Sequence, residues 1–123
     1  MSMESFTVLL IDKSGEVHEK EIKSIDRLYS VCNYRNEDGL EELHSWKQMD
    51  YTYVLYGKRK GKNNYENKGI FPPPIQQELF YGNLCLVKKG EVPLSITIEE
   101  WNKFIESKET KLDCKELKKE EYE

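Results

Sequence analysis

The sequence predicts a small α+β domain: an antiparallel sheet of about five strands, one well-capped C-terminal helix packed on it, and a charged tail. Three observations support this fold class. Apolar runs with high β propensity recur between turn signals, an amphipathic segment with a capping motif follows the last run, and the final residues are mostly charged. A chain of 123 residues can build one modest core, which we assign to a single domain at residues 1–107, with residues 108–123 as the tail.

The first two strands are predicted to form a β-hairpin. Residues 6–11 (FTVLLI) are apolar enough for a buried strand, and residues 12–15 (DKSG) are a turn signal. Residues 17–22 alternate apolar and charged side chains, as a strand with one exposed face does. Residues 24–32 then carry apolar side chains at helical spacing, which predicts a short helix before a polar turn at residues 33–39.

Residues 40–48 (LEELHSWKQ) are compatible with a helix, but the alternation over residues 43–48 favours a strand. A second hairpin is therefore predicted from residues 43–47 and 51–56. The segment YTYVLY has the strongest β character in the chain, and both of its faces are partly apolar, which indicates an interior strand. One face carries Tyr51, Tyr53 and Leu55, and the other carries Thr52, Val54 and Tyr56. Residues 57–64 (GKRKGKNN) are typical of a loop, and residues 84–88 are predicted as another apolar strand.

The clearest helix begins after Thr97. The stretch Thr97-Ile98-Glu99-Glu100 matches a capping box, in which the Thr oxygen and the Glu side chain each accept a hydrogen bond from a free backbone amide. The apolar residues of the segment fall on one helical face. They are Ile98, Trp101, Phe104 and Ile105.

Composition and charge limit the classes of protein to consider. No apolar run approaches the roughly 20 residues of a membrane span, and the amino terminus lacks the pattern of a secretory signal. The three cysteines are odd in number and far apart, which argues against a disulfide framework. We therefore expect an intracellular protein that is not secreted and has no membrane partner. The net charge of −4 is uneven: residues 51–90 carry 7 basic and 2 acidic groups, so an acidic partner would dock there.

Three prolines, at residues 72–74, stand between two aromatic-rich segments. Proline fixes such a stretch in an extended conformation, which suits either a presented peptide or a structural clamp. A presented peptide would be expected in polar surroundings, but the flanking side chains here are largely apolar. They are Ile70, Phe71, Ile75, Leu79, Phe80 and Tyr81. The sequence therefore predicts that residues 70–84 form an internally packed brace that pins the preceding basic loop, with a peptide ligand as the alternative.

The basic loop is the second candidate site. Lys58, Arg59, Lys60 and Lys62 fall within five residues, and Tyr56 and Tyr65 lie nearby. Cations of this density can follow phosphates while a tyrosine stacks on a base. The same pattern also occurs in solvated turns, and the phosphate-binding GxxxxGK[ST] pattern is not present.

Catalytic and metal sites are not predicted. His18 and His44 do not lie at metal-ligand spacing with another His or Cys. We find no nucleophile motif, no paired inward carboxylates and no cofactor fingerprint. The surplus of Tyr and Trp instead favours protein contact, since these residues are enriched at interfaces.

Several short motifs follow one another in the second half of the chain. G-K-x-N-x-E-N-K at residues 61–68 precedes F-P-P-P-I at 71–75, L-F-x-G at 79–82 and E-E-W at 99–101. In this order they resemble an uncharacterised family of small proteins from nucleocytoplasmic large DNA viruses, the giant viruses. The resemblance covers roughly residues 27–107. It implies a viral protein that acts inside the host cell, in cytoplasm or nucleus, or is packaged in the virion.

The family has no established activity, so the resemblance supplies no catalytic residue. Its members often end in an acidic, glycine-containing tail, whereas this chain ends in mixed Lys and Glu. A function attached to that tail is therefore not carried over.

We predict a non-enzymatic protein-interaction module, virion- or transcription-associated, with a viral or host protein as partner, no cofactor and no metal. A homodimer is left open. The predicted partner-binding residues are Tyr51, Tyr53, Phe71, Pro72, Pro73, Pro74 and Tyr81. The alternative is a nucleic-acid-binding accessory protein that uses the basic loop 58–62 and the adjacent Tyr65. Its predicted binding residues are Lys58, Arg59, Lys60, Lys62 and Tyr65.

Overall fold

The predicted strands assemble into one antiparallel sheet. A computed structural model describes residues 5–32, 34, 40–61 and 63–108. Within these residues the strands are β1 (Phe6–Ile11), β2 (Val17–Ile22), β3 (Glu41–Lys47), β4 (Thr52–Lys58), β5 (Tyr81–Lys89) and β6 (Pro93–Leu94). Their spatial order is β2-β1-β5-β4-β3, and the short β6 pairs with the end of β5. The α+β fold class, both predicted hairpins and the interior position of β4 are confirmed.

Two α-helices accompany the sheet in the described part of the chain. The first, α1 (Leu28–Val31), follows a 3₁₀ turn at Ile25–Arg27 that Ser24 caps by accepting a hydrogen bond from the amide of Asp26. The second, α2, runs over residues 98–108. Neither is long and apolar enough to cross a membrane. The tail predicted beyond residue 108, and the polar turn at 33–39 apart from residue 34, lie outside the described residues.

The two inner strands are longer than predicted at the point where they meet. β4 continues through Gly57 to Lys58, and β5 begins at Tyr81 rather than at Leu84. Lys58 pairs with Tyr81 after a register shift between β4 and β5, so both strands stay in the sheet at this point. Gly57 is required by packing rather than by a turn, because a Cβ there would overlap the side chain of Leu84.

The sheet carries a hydrophobic core on each face, because alternate residues of its strands point to opposite sides. On the α2 face, Leu9, Leu55 and Leu86 pack with Trp101 and Phe104 of α2. On the α1 face, Val8, Leu10, Cys85 and Val87 pack with Leu28 of α1 and with Cys32. The predicted apolar face of α2 is thus confirmed, and both faces of the central strands are covered.

The predicted capping box of α2 is only half formed. Thr97 Oγ1 accepts a hydrogen bond from the amide of Glu100 at 3.0 Å, as predicted. The carboxylate of Glu100 does not return to the Thr97 amide but accepts from Tyr53 Oη and Lys88 Nζ, each at 2.8 Å. Burial, together with the hydrogen bond to this carboxylate, raises the pKa of Tyr53 well above its ordinary value. The Glu100 side chain therefore ties α2 to β4 and β5.

The proline segment packs against the α2 face. Phe71, Ile75 and Phe80 belong to that core, with the two phenylalanine rings 5.7 Å apart. Pro72 is fully buried, and the carbonyl of Pro73 accepts a hydrogen bond from Trp46 Nε1 at 2.9 Å. The predicted internal brace is present.

Two flanking residues differ from the expectation of burial around the prolines. Ile70 is 68 % exposed and Leu79 is 55 % exposed. The chain turns twice between Pro72 and Glu78: the amide of Ile75 donates to the carbonyl of Pro72, and the amide of Glu78 donates to the carbonyl of Ile75. Because of these turns, only some side chains of the segment face the core.

Candidate functional site: a lysine and tyrosine cleft

A cleft of about 550 Å³ opens at one end of the sheet, where β1 and β4 end and β5 begins. Three lysines and three tyrosines line it: Lys13, Lys58, Lys60, Tyr34, Tyr65 and Tyr81. We call it the Lys–Tyr cleft. These side chains lie close together because the strands pair antiparallel, so that the carboxyl ends of β1 and β4 both lie beside the amino end of β5.

Two of the lysines lie over tyrosine rings inside the cleft. Lys58 Nζ is 4.4 Å from the centroid of the Tyr34 ring, and Lys13 Nζ is 4.8 Å from that of Tyr65. Among the residues that the structure describes, no carboxylate lies within 4.0 Å of the ammonium group of Lys13, Lys58 or Lys60. The cleft therefore combines aromatic surface with positive charge that those residues do not neutralise.

The wall around Tyr34 is held by hydrogen bonds. Tyr34 Oη accepts from the amide of Asn83 at 3.0 Å and donates to its carbonyl at 3.3 Å. The Asn83 side chain accepts from the amide of Lys13 and donates to the carbonyl of Cys32, both at 3.1 Å. Gly82 has φ +73°, and a Cβ at this position would overlap Tyr34 Oη. Only glycine allows this approach without strain.

Asn67 holds the opposite wall in place. Its Nδ2 lies 2.8–3.1 Å from the carbonyls of Ile11, Asp12 and Gly82, and its Oδ1 accepts from the amide of Gly69 at 2.7 Å. This buried side chain joins the end of β1, the start of β5 and the segment that carries Tyr65. Sequence reasoning did not assign it a role, and the only signal was a polar residue in the motif at residues 61–68.

The structure divides the predicted nucleic-acid residues. Lys58, Lys60 and Tyr65 line the Lys–Tyr cleft together. Arg59 points away: its guanidinium donates to the carbonyl of Leu43 and pairs with Glu41 at 3.2 Å and Glu78 at 3.9 Å. It links the basic loop to the edge strand and to the proline segment. Lys62 lies outside the described residues.

The predicted partner-binding residues are divided as well. Tyr53, Phe71 and Pro72 are buried in the core of the domain, so their surfaces are not open to a partner in this fold. Tyr51 is partly exposed beneath Lys88 Nζ, 4.4 Å from its ring centroid.

The remaining members of that set lie nearer to solvent. Pro73 is partly exposed and Pro74 is exposed. Tyr81 lines the Lys–Tyr cleft, where Gly61 approaches it so closely that a Cβ would lie 2.6 Å from the Tyr81 Cβ. Lys13 and Tyr34 complete the cleft, and sequence reasoning missed both, because each becomes a neighbour of the basic loop only through the sheet pairing.

The hairpin turn after β1 brings His18 near two carboxylates, Asp12 and Glu16, an arrangement that the spacing of the histidines did not indicate. Asp12 Oδ1 accepts from the amides of Ser14 and Glu16, both at 3.0 Å, and from Ser14 Oγ at 2.6 Å. His18 Nε2 lies 2.8 Å from Asp12 Oδ2. These bonds are those of an Asx turn, and they account for the cluster without a metal.

We predict that this turn makes the stability of the domain acid-sensitive. The hydrogen bonds from Ser14 and His18 lower the pKa of Asp12 from its ordinary 3.8 to about 2. A carboxyl whose pKa is lower in the folded state stabilises the fold above its unfolded pKa, and this contribution disappears as the pH falls through the folded value. The free energy of unfolding should therefore fall between about pH 4 and pH 2 in urea titrations. Asp12→Asn should show a smaller fall over that interval, and an identical pH dependence in the variant would contradict the assignment.

The two cysteines in the described part of the chain, Cys32 and Cys85, provide packing rather than a nucleophile. Cys32 and Cys85 are buried, and a hydrogen bond to Cys32 together with burial raises the pKa of the Cys85 thiol well above its ordinary value. A thiol held protonated in this way is a poor nucleophile. Cys85 packs as a small hydrophobic residue in the α1-face core.

Comparison of the chain with protein-family models, with curated proteins and with solved structures finds no match. The resemblance to a giant-virus family thus stays a prediction.

Proposed function

We propose that the protein binds single-stranded nucleic acid in the Lys–Tyr cleft, as a binding module without a reaction of its own. The main observation behind this proposal is that three tyrosine rings line the same cavity as Lys13, Lys58 and Lys60. Aromatic side chains stack on any exposed base, and lysines neutralise the phosphates that link the bases. The two kinds of side chain together match the two chemical parts of a nucleotide.

The concave shape of the cleft favours single strands over duplex. Its volume of about 550 Å³ is that of a pocket for one small organic molecule, such as one nucleotide. A base can enter such a pocket and stack only when it is free of its neighbours, as in a single strand or a loop.

Three of the residues predicted to bind a protein partner are buried, which favours nucleic acid over a protein as the ligand. Tyr53, Phe71 and Pro72 contribute their surface to the core of the domain. In contrast, Lys58, Lys60 and Tyr65 from the nucleic-acid set face the same cavity. The excess of positive charge in residues 51–90 also includes these two lysines.

Fluorescence anisotropy with a labelled oligothymidylate or oligouridylate of about twelve nucleotides tests the proposal, since this length falls within the usual site sizes for single strands. The double variant Lys58→Ala/Lys60→Ala removes two of the three lysines. For two lost phosphate contacts, the slope of log affinity against log salt should become shallower by about 1.4, which corresponds to roughly a 25-fold loss of affinity at about 0.1 M salt.

Lys103→Ala is the matched control, because Lys103 is exposed on α2, on the opposite face of the sheet. It removes one positive charge without touching the cleft and should leave the slope unchanged. Equal binding by the double variant and the control, with both folded by circular dichroism, would refute the proposal. Salt-independent binding, or none by the unaltered protein, would also do so and would return attention to a protein partner.

A further inference from the structure

A third lysine–tyrosine pair lies outside the cleft, on the same face of β4. Lys89 Nζ is 5.0 Å from the centroid of the Tyr56 ring and donates a hydrogen bond to Tyr56 Oη. Both side chains are partly exposed. Like the lysines of the cleft, Lys89 has no carboxylate within 4.0 Å in the part of the chain that is described.

Tyr56 is next to the cleft along β4, and Lys89 lies on the side of Tyr56 away from the cleft. Tyr56 and Lys58 are two residues apart on β4, so they share a face and their Cα atoms are roughly 6.5–7 Å apart. Tyr34, the partner of Lys58 in the cleft, packs against the same α1-face core as Tyr56. The three pairs, Lys13–Tyr65, Lys58–Tyr34 and Lys89–Tyr56, thus lie on one side of the sheet.

From this arrangement we infer that Tyr56 and Lys89 form a second nucleotide subsite, onto which a strand bound in the Lys–Tyr cleft continues. The inference rests on the proposed function and deepens it: the ligand is an oligonucleotide of at least two adjacent nucleotides rather than a free mononucleotide. Tyr56 presents a ring for the second base, and Lys89, which lies beyond Tyr56 as seen from the cleft, provides a cation for the phosphate that follows this base.

A fourth lysine–tyrosine pair shows what a structural pair looks like in this protein. Lys88 lies over Tyr51 on the α2 face, but its ammonium group also pairs with the Glu100 carboxylate at 2.8 Å. Its charge is neutralised within the fold, and it helps to hold α2 on the sheet. Lys89, one residue later, points to the other face and has no such acidic partner among the described residues.

The test is the dependence of affinity on ligand length, measured by competition against the labelled oligothymidylate with thymidine monophosphate, a dinucleotide and a tetranucleotide. Stacking of one further base should raise the affinity of the unaltered protein by about 5- to 150-fold from the mononucleotide to the dinucleotide. Lys89→Ala should lose most of the further gain from the dinucleotide to the tetranucleotide, which contains the phosphate after the second base, and should make the salt slope for the tetranucleotide shallower by about 0.7, while it binds the mononucleotide normally.

Two further variants keep the outcome clear. Tyr56→Phe retains the ring and should keep the gain with length, and Lys89→Gln replaces Lys89→Ala if the latter does not fold. If Lys89 variants match the unaltered protein at every length while Lys58→Ala/Lys60→Ala loses binding, the second subsite is wrong and the cleft stands. If Lys58→Ala/Lys60→Ala also binds normally, the proposed function itself fails.

Discussion

Trp101→Ala is expected to lower the free energy of unfolding by about 3–5 kcal/mol, which is the largest effect of a single substitution that we anticipate in this domain. Trp101 is 0 % exposed. Its ring lies 5.5 Å from that of Trp46, 5.7 Å from that of Tyr53 and 5.7 Å from that of Phe104. Truncation removes a large apolar surface and leaves a cavity that the neighbouring side chains of β3, β4 and α2 cannot close.

Urea denaturation followed by circular dichroism measures this loss, with Lys103→Ala as the control. Lys103 is exposed on the same helix, two residues away, and its substitution should change the free energy of unfolding by no more than about 0.5 kcal/mol. If Trp101→Ala proves unfolded, Trp101→Phe should be folded and destabilised by a smaller amount. A loss below about 1 kcal/mol for Trp101→Ala would mean that α2 does not pack on the sheet as described.

Gly82→Ala is expected to damage both stability and oligonucleotide binding. Gly82 has φ +73°, where a side chain costs about 1–2 kcal/mol, and its Cβ would displace the Tyr34 hydroxyl. Displacing Tyr34 breaks the two hydrogen bonds that it makes with Asn83 and removes the ring that lies under Lys58. Affinity for the labelled oligothymidylate, and for thymidine monophosphate in competition with it, should therefore fall beyond what loss of folded protein explains.

Gly90→Ala serves as the matched control, because a Cβ there meets only the flexible end of Leu94 at 3.1 Å and a carbonyl at 3.5 Å, far along β5 from the cleft. Because Gly90 directly follows Lys89 of the second subsite, the comparison uses thymidine monophosphate, which occupies the cleft alone. Gly90→Ala should leave the affinity for this ligand unchanged. A double-mutant cycle with Tyr34→Phe adds a direct check: without the hydroxyl to displace, Gly82→Ala should cost less than in the unaltered protein. Additive costs would show that the effect comes from the backbone alone.

The pattern of the sequence was sufficient for most of the fold. Apolar alternation and turn residues located β1, β2 and the hairpin of β3 and β4, since local spacing and burial act in the same direction there. The same reasoning misplaced the junction of β4 and β5. Gly57 suggests a loop when the sequence is considered alone, yet it lies in β4. The Leu84 side chain occupies the space that a Cβ at this position would need, so the glycine serves packing rather than a turn.

Only part of the candidate site could be predicted from the sequence. The basic loop was recognised as a cluster, but adjacency in sequence does not decide direction: Lys58 and Lys60 face the cleft, whereas Arg59 turns to the carbonyl of Leu43. In the proline segment, the aromatic and apolar neighbours correctly indicated packing. Because Phe71 is buried in the core, its ring is not available to a binding partner.

By itself, the sequence determined the fold class, the brace at residues 70–84 and the positive charge of the middle third, because hydrophobic periodicity, proline geometry and charge are properties of short stretches of chain. Only the tertiary structure decided that Lys13 and Tyr34 join Lys58 in one cleft, and that Asn67 and Gly82 hold it open. Those residues lie as many as 69 positions apart in the chain, from Lys13 to Gly82. They meet because antiparallel pairing of β1, β4 and β5 brings three strand ends to one place.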